Sequence, residues 1–291
     1  MKPGLARTLW HRLETINAVT YFAPECRDAP ADLGLAGFWM GYFACRAAPL
    51  GPVGPGVVEA TFYNFHPRRV RRAVPEAWAR TTPAAVLEVR ATAAAAALRR
   101  LVPAGGAEEL AAGVVAALAT VVAAADPAGR PLFAANRDVP RPDDPVADLW
   151  QLATTLREHR GDGHVAALVT TGLEPVEVVA WRCRVDQSRE FHQPARGWTD
   201  EQWTAAEQRL VDKGWLTADL SPTPYATETF RVVEEATDRA ASGPWRALGA
   251  ERTARLRELL EPIATRCRTI IPAKAPIGLP AQRSAGAVLP R

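Results

Sequence analysis

Apolar positions in this chain recur every third or fourth residue far more often than every second. In Pro83–Leu101 (PAAVLEVRATAAAAALRRL) and in 107–125, 204–210 and 250–263 the spacing is helical, while alternating patterns are scarce. The pattern predicts a mostly α fold. The stretch 126–145, DPAGRPLFAANRDVPRPDDP, carries five prolines between two helical patterns, and proline removes a backbone donor and fixes φ. It reads as a linker between two domains. The expected division is a first helical half over 1–125, the linker at 126–145, a second half over 146–270 and an extended tail over 271–291.

The two halves repeat one another in outline. Leu9-Trp10 opens the first and Leu149-Trp150 the second. An apolar helix follows (37–49 against 164–172), then one with Val-Val in the same place (55–65 against 175–185), then a tryptophan turn (Ala77-Trp78 against Gly197-Trp198). Each turn leads into a threonine and a long helix, TTPAAVLEVR in the first half and TDEQWTAAEQ in the second. Threonine at such a start accepts an orphan amide, with Pro or acids favoured in the first turn.

After the second of these helices, Lys213-Gly214-Trp215-Leu216 supplies a glycine stop, and 217–230 (TADLSPTPYATETF) reads as strand, turn and strand. Helix, stop and small hairpin make a winged helix. Here the chain resembles MarR-like winged-helix proteins, and more specifically the actinomycete helix-turn-helix family of the SalK and EvbL type. The resemblance rests on GFWMGYFACRAAPLG (37–51), ATFYNFHP (60–67), REHRGDGHVAAL (157–168) and LVDKGWLTADLSPTP (210–224). It implies tandem winged-helix repeats with small β-wings, and a setting in specialised metabolism or antibiotic biosynthesis.

Composition narrows the class without naming a chemistry. Of 291 residues 48% are hydrophobic and 23% charged, and no apolar run is expected to span a membrane. The N-terminus lacks the apolar core of a signal peptide, and four scattered cysteines (Cys26, Cys45, Cys183, Cys267) suit a reducing cytoplasm. The balance of 35 Lys+Arg against 32 Asp+Glu gives +3, too near neutral to announce a polyanion partner.

The location of charge is more informative. A recognition helix needs cations near phosphate, yet 199–208 carries Asp200, Glu201 and Glu207 with no Lys or Arg. The expected wing adds Asp219 and Glu228. The counter-signal is Arg68, Arg69, Arg71 and Arg72, dense enough to contact DNA from the first half, or equally a solvated face paired with acids such as Glu76.

Two polar clusters are candidates for chemistry. In Glu158-His159-Arg160-Gly161-Asp162-Gly163-His164 the glycines are expected to bend the helix. A His/Asp pair is a workable acid/base unit, so Glu158, His159, Asp162 and His164 are catalytic candidates with Arg160 as anion holder. Equally, Asp162 can cap a helix while His164 packs in it. The spacing of His159, Asp162 and His164 matches no established zinc site, and no metal and no cofactor are expected. The second cluster sets aromatic rings among polar tips, with Glu25, Tyr42, Arg46, Tyr63, Asn64 and His66 as lining of a small-molecule site or a satisfied core. There is no GxSxG, GxxxxGK[ST], GxGxxG or HExxH. The expectation is a cytoplasmic protein acting on a small-molecule ligand or substrate, an enzyme without nucleotide cofactor; the alternative is a ligand-responsive regulator that binds DNA.

Overall fold

The computed structural model describes residues 3–102, 105–273, 275, 277 and 279. Its α-helices are α1 (Pro3–Asn17), α2 (Val19–Phe22), α3 (Pro24–Asp28), α4 (Gly37–Ala47), α5 (Pro55–Phe62), α6 (Pro67–Arg80), α7 (Pro83–Leu101), α8 (Gly106–Ala123), α9 (Pro131–Arg137), α10 (Pro145–Val169), α11 (Pro175–Val185), α12 (Arg189–Arg196), α13 (Asp200–Asp212), α14 (Pro224–Ser242), α15 (Trp245–Leu248) and α16 (Ala250–Arg268). Short 3-10 turns lie at Ala29–Leu33 and Ala48–Leu50. Nine of the sixteen begin on proline, where the missing N–H is an orphan anyway and φ is already helical. Most of the expected helices are present; α13 and α16 run beyond 204–210 and 250–263.

Hydroxyl and carboxylate caps set the starts that matter. Thr82 Oγ1 accepts from Ala85 N–H and Thr199 Oγ1 from Gln202 N–H, each at 3.2 Å. Gln202 returns a bond to the Thr199 N–H, completing a capping box.

The α10 helix is the axis, with α1, α7, α8, α9 and α14 packed around it. Leu9, Leu13 and Ile16 of α1, Ala94 and Leu98 of α7, Leu118 and Val121 of α8, Leu149 and Trp150 of α10 and Leu260 of α16 form the largest core. Its members come from both sides of 126–145, and that stretch contains α9, with Leu132 and Phe133 fully buried. The expected linker is therefore a core segment: two of its prolines start helices, and Leu-Phe between them has apolar area to bury. By length and composition α8 is apolar enough to cross a membrane, contrary to the expectation of no such run; its Ala111, Val114, Leu118 and Val121 face packs on α10 and α16.

A second cluster joins Val179 and Trp181 of α11, Trp203 and Leu210 of α13, Trp215 and Val233. The hairpin expected over 217–230 is corrected: one antiparallel bridge pairs Leu216 with Pro222, and α14 starts at Pro224. Proline at its first position and Thr223 capping Ala226 make a helix start of what read as a second strand. From 280 the expected tail lies outside the described residues.

Candidate functional site

The EHRGDGH segment does not bend. Residues 158–164 are one continuous stretch of α10, and the two glycines serve close packing instead of a turn. A Cβ on Gly163 would lie 2.8 Å from Arg130 Nη1 and 3.1 Å from Ala240 Cβ; one on Gly161 would lie 3.3 Å from Glu158 Oε2. Through this gap Arg130 binds the His159 carbonyl and, at 2.9 Å, the Ala240 carbonyl, tying α9 and α14 to α10.

Helical spacing then spreads the cluster over three faces. His159 and Asp162 face α9, where the imidazole meets the Phe133 ring edge-on at 4.9 Å and the Asp162 carboxylate accepts the Phe133 N–H at 2.8 Å. Arg160 and His164 face α14, bound to Asp238 at 3.0 Å and Thr237 at 2.9 Å. Glu158 faces α4. Among the described residues no hydrogen bond joins His159, Asp162 and His164, and no three His, Cys, Asp or Glu side chains are grouped to hold a metal. Burial, then Arg130, lowers His159 to about 4, and burial, then Arg182, holds His164 well below the usual range. Burial raises Asp162 to about 6 although it caps α9. His164 is thus parted from His159 and Asp162, and Arg160, stacked over Trp10 at 4.2 Å, is occupied by acids of α14.

The first-half candidates also part company. Glu25 is a surface partner of Arg100. Tyr63, Asn64 and His66 form a seam with the α11–α13 cluster. Tyr63, at φ 57° and ψ −64°, centres a γ-turn closed by Asn64 N–H to Phe62 O at 2.8 Å, a strained geometry for a non-glycine residue. The seam is held by Trp198 Nε1 donating to Asn64 O at 3.0 Å, His66 against Gln202 at 3.0 Å, and Tyr63 Oη donating to Leu173 O at 3.4 Å. Arg69 also belongs to it, donating to Ala195 O at 3.0 Å and stacking on Trp39. Arg71 pairs with Glu59, and Arg68 and Arg72 are exposed on α6.

Tyr42 and Arg46 remain, and they open onto a cleft. Two adjoining narrow hollows, each with about 20 Å³ of enclosed space and about 300 and 330 Å³ once their open mouths are included, share Thr20, Tyr21, Tyr42 and Cys45. The outer one adds Phe38 and Gly41; the inner one adds Asn17, Arg46, Arg90, Asn136, Trp150, Thr154 and Glu158. Arg46 donates to Glu158 at 3.0 and 3.2 Å and to Tyr42 Oη at 3.3 Å, while Arg157 bridges Glu158 and Glu14 at 2.8 Å. Burial would raise the Glu158 carboxyl, but Arg157 and Arg46 hold it at about 2. Burial pushes the Tyr21 phenol up to about 12 and brings Arg90 down to about 10. The cleft therefore carries an ionised carboxylate and guanidiniums fixed in its wall.

Arg90, Asn17, Thr154, Asn136 and Gln151 escaped the sequence reading. A signal for Arg90 existed: four residues after Val86 and eight before Leu98, it is a lone cation on the buried face of α7. The polar residues of α10 and α1 had no such contrast.

No curated protein and no solved structure matches this chain. A family profile does, over residues 6–272, nearly the whole chain. On that match, the chain belongs to a helix-turn-helix family.

Proposed function

We propose that this helix-turn-helix protein is a small-molecule sensor whose cleft lies between α2, α4, α7 and α10. The carrying observation is the pair of adjoining hollows walled by Tyr21, Tyr42, Trp150 and a buried Arg46–Glu158 pair, since an apolar cavity with a few fixed polar groups is the usual form of a ligand site. A continuous path links it to α13. The Tyr42 ring packs on Phe65 at 5.5 Å, and the adjacent Asn64 carbonyl holds Trp198, one residue before the Thr199 cap. A guest that moves Tyr42 is felt at the start of α13. We read α11–α13 with the Leu216–Pro222 bridge as a winged helix, and the paired Thr82 and Thr199 caps as traces of a duplication.

DNA contact is a second reading, favoured by the family and by Arg68 and Arg72, exposed on α6 without an ion pair among the described residues. The α13 face is unsuited: it exposes Asp200, Glu201 and Asp212, and its Lys213 is bound to Glu177. The α7 helix, its counterpart in the first half, is packed in the core. Acid/base catalysis is less favoured, because His164 faces α14 while His159 and Asp162, both against Phe133 of α9, share no hydrogen bond. The scattered cysteines lead us to place the sensor in the cytoplasm, and the resemblance to the SalK and EvbL type in specialised metabolism.

Thermal-shift screening with small aromatic compounds tests this. A compound at about a hundredfold over its Kd adds about 2.7 kcal/mol, a shift of several degrees. Tyr42→Ala should abolish the shift; equal shifts in wild type and variant, or none with any compound, would overturn the reading.

A further inference from the structure

Charges in the wall of the inner cleft do not balance. Arg46 and Arg157 are matched by Glu158 and Glu14. Arg90 is only 5% exposed, and its partners are all neutral: Cys45 O at 2.7 Å, Asn136 Oδ1 at 3.1 Å and Gln151 Oε1 at 3.0 Å. Its Nε is buried with no hydrogen-bond partner, and no carboxylate forms an ion pair with it among the described residues; Glu158 acts on it only through space. An uncompensated buried cation is unfavourable and persists where something else supplies the anion.

Hydrogen-bond donors are in surplus in the same wall. Tyr42 Oη accepts from Arg46 at 3.3 Å and Tyr21 Oη from Asn17 Nδ2 at 3.5 Å, and neither hydroxyl proton has an acceptor among the described residues. Thr20 Oγ1 likewise accepts, from Trp150 Nε1 at 3.1 Å. With the Arg90 Nε–H, the cleft offers unspent donors beside an excess of positive charge, to which the neighbouring Arg196 guanidinium adds.

We propose that the inner cleft binds the carboxylate of a small organic acid, received by Arg90 and the Tyr21 and Tyr42 hydroxyls, with the acid's apolar body against the Tyr and Trp150 rings. This rests on the sensor reading in taking the same cleft as the ligand site. The Tyr21, Tyr42 and Trp150 rings in the wall suit an anion with an apolar body, so the carboxylate of an organic acid is favoured over inorganic phosphate.

The test compares acids with amides of the same shape: benzoate and phenylacetate against benzamide and phenylacetamide, with inorganic phosphate as the other anion, by calorimetry and thermal shift at fixed ionic strength. The acids should bind wild type at least about tenfold more tightly than the amides, and Arg90→Gln should remove that preference. Should Arg90→Gln not fold, the wild-type comparison still decides, together with Tyr21→Phe/Tyr42→Phe, which keeps the cavity and should weaken the acids several-fold. Amides binding as well as acids, or phosphate displacing benzoate at equal concentration, would overturn the carboxylate site while leaving the sensor reading intact. No binding by acid or amide would remove both.

Discussion

Arg46 of α4 and Glu158 of α10 stand 112 residues apart in the chain, yet the guanidinium donates to both carboxylate oxygens, at 3.0 and 3.2 Å. The pair is buried, shares Glu158 with Arg157, and forms one wall of the cleft. It joins two parts of the chain and also shapes the space between them.

Glu158→Gln keeps the side-chain shape and removes the charge that Arg46 and Arg157 share. Breaking a buried pair from one side typically costs about 3–5 kcal/mol, and urea denaturation should show a loss of that order. Replacing the pair together, as Arg46→Met with Glu158→Met, should recover part of it, because no unmatched Arg46 charge is left. A loss below about 1 kcal/mol for Glu158→Gln would mean that the pair is effectively solvated.

Acid should destabilise the protein well before most of its carboxylates titrate. Burial, as the largest cause, lowers His11, His159 and His192 to about 4 and holds His164 well below its usual range. Between about pH 4 and 6.5 these rings are neutral when folded and take up protons on unfolding, so stability falls as pH falls. Asp162, raised to about 6, runs the other way and releases a proton on unfolding in much of that window. Four against one gives a net uptake of about three protons near pH 5, readable from denaturation at neighbouring pH values. Asp162→Asn should steepen the dependence by about one proton. Undiminished stability at pH 5 would contradict the buried neutral histidines.

Glycines inside helices should divide by what surrounds them. A Cβ at Gly163 meets Arg130 and Ala240, and Gly163→Ala is expected to cost about 1–3 kcal/mol. Gly113, exposed in mid-α8 with nothing within 4 Å, should instead gain about 0.5–1 kcal/mol as Ala. Melting curves of the two variants should move in opposite directions.

Should the protein bind DNA, the contact is expected on α6. Arg68→Ala with Arg72→Ala should reduce the slope of log affinity against log salt by about 2, one phosphate contact per arginine. Asp200→Asn with Glu201→Gln in α13 should leave affinity unchanged or raise it. Fluorescence anisotropy across a salt series measures both, and a slope untouched by the arginine changes would move the contact elsewhere.

Helix content and many boundaries were legible in the chain because they follow from local chemistry. Pro83 after Thr82, Asp200 after Thr199 and Gly214 after Lys213 mark starts and stops through caps, φ restriction and positive φ, all of which act within a few residues. The acidic α13 face was legible for the same reason. Tyr42 and Arg46 could be listed as candidates, but equally with Glu25, which pairs with Arg100 at the surface, and with His66, which belongs to the α13 seam. Only tertiary packing separated them. It kept α10 continuous through Gly161 and Gly163 by bringing Arg130 and α14 close, and so left His159 and Asp162 against α9 while His164 faces α14. It drew the proline-rich 126–145 segment into the core through Leu132 and Phe133. It also set Arg90 beside a cleft without a carboxylate of its own. Periodicity tells which side of a helix is buried; which charge meets which depends on contacts between segments from dozens to more than a hundred residues apart, and no local pattern carries that information.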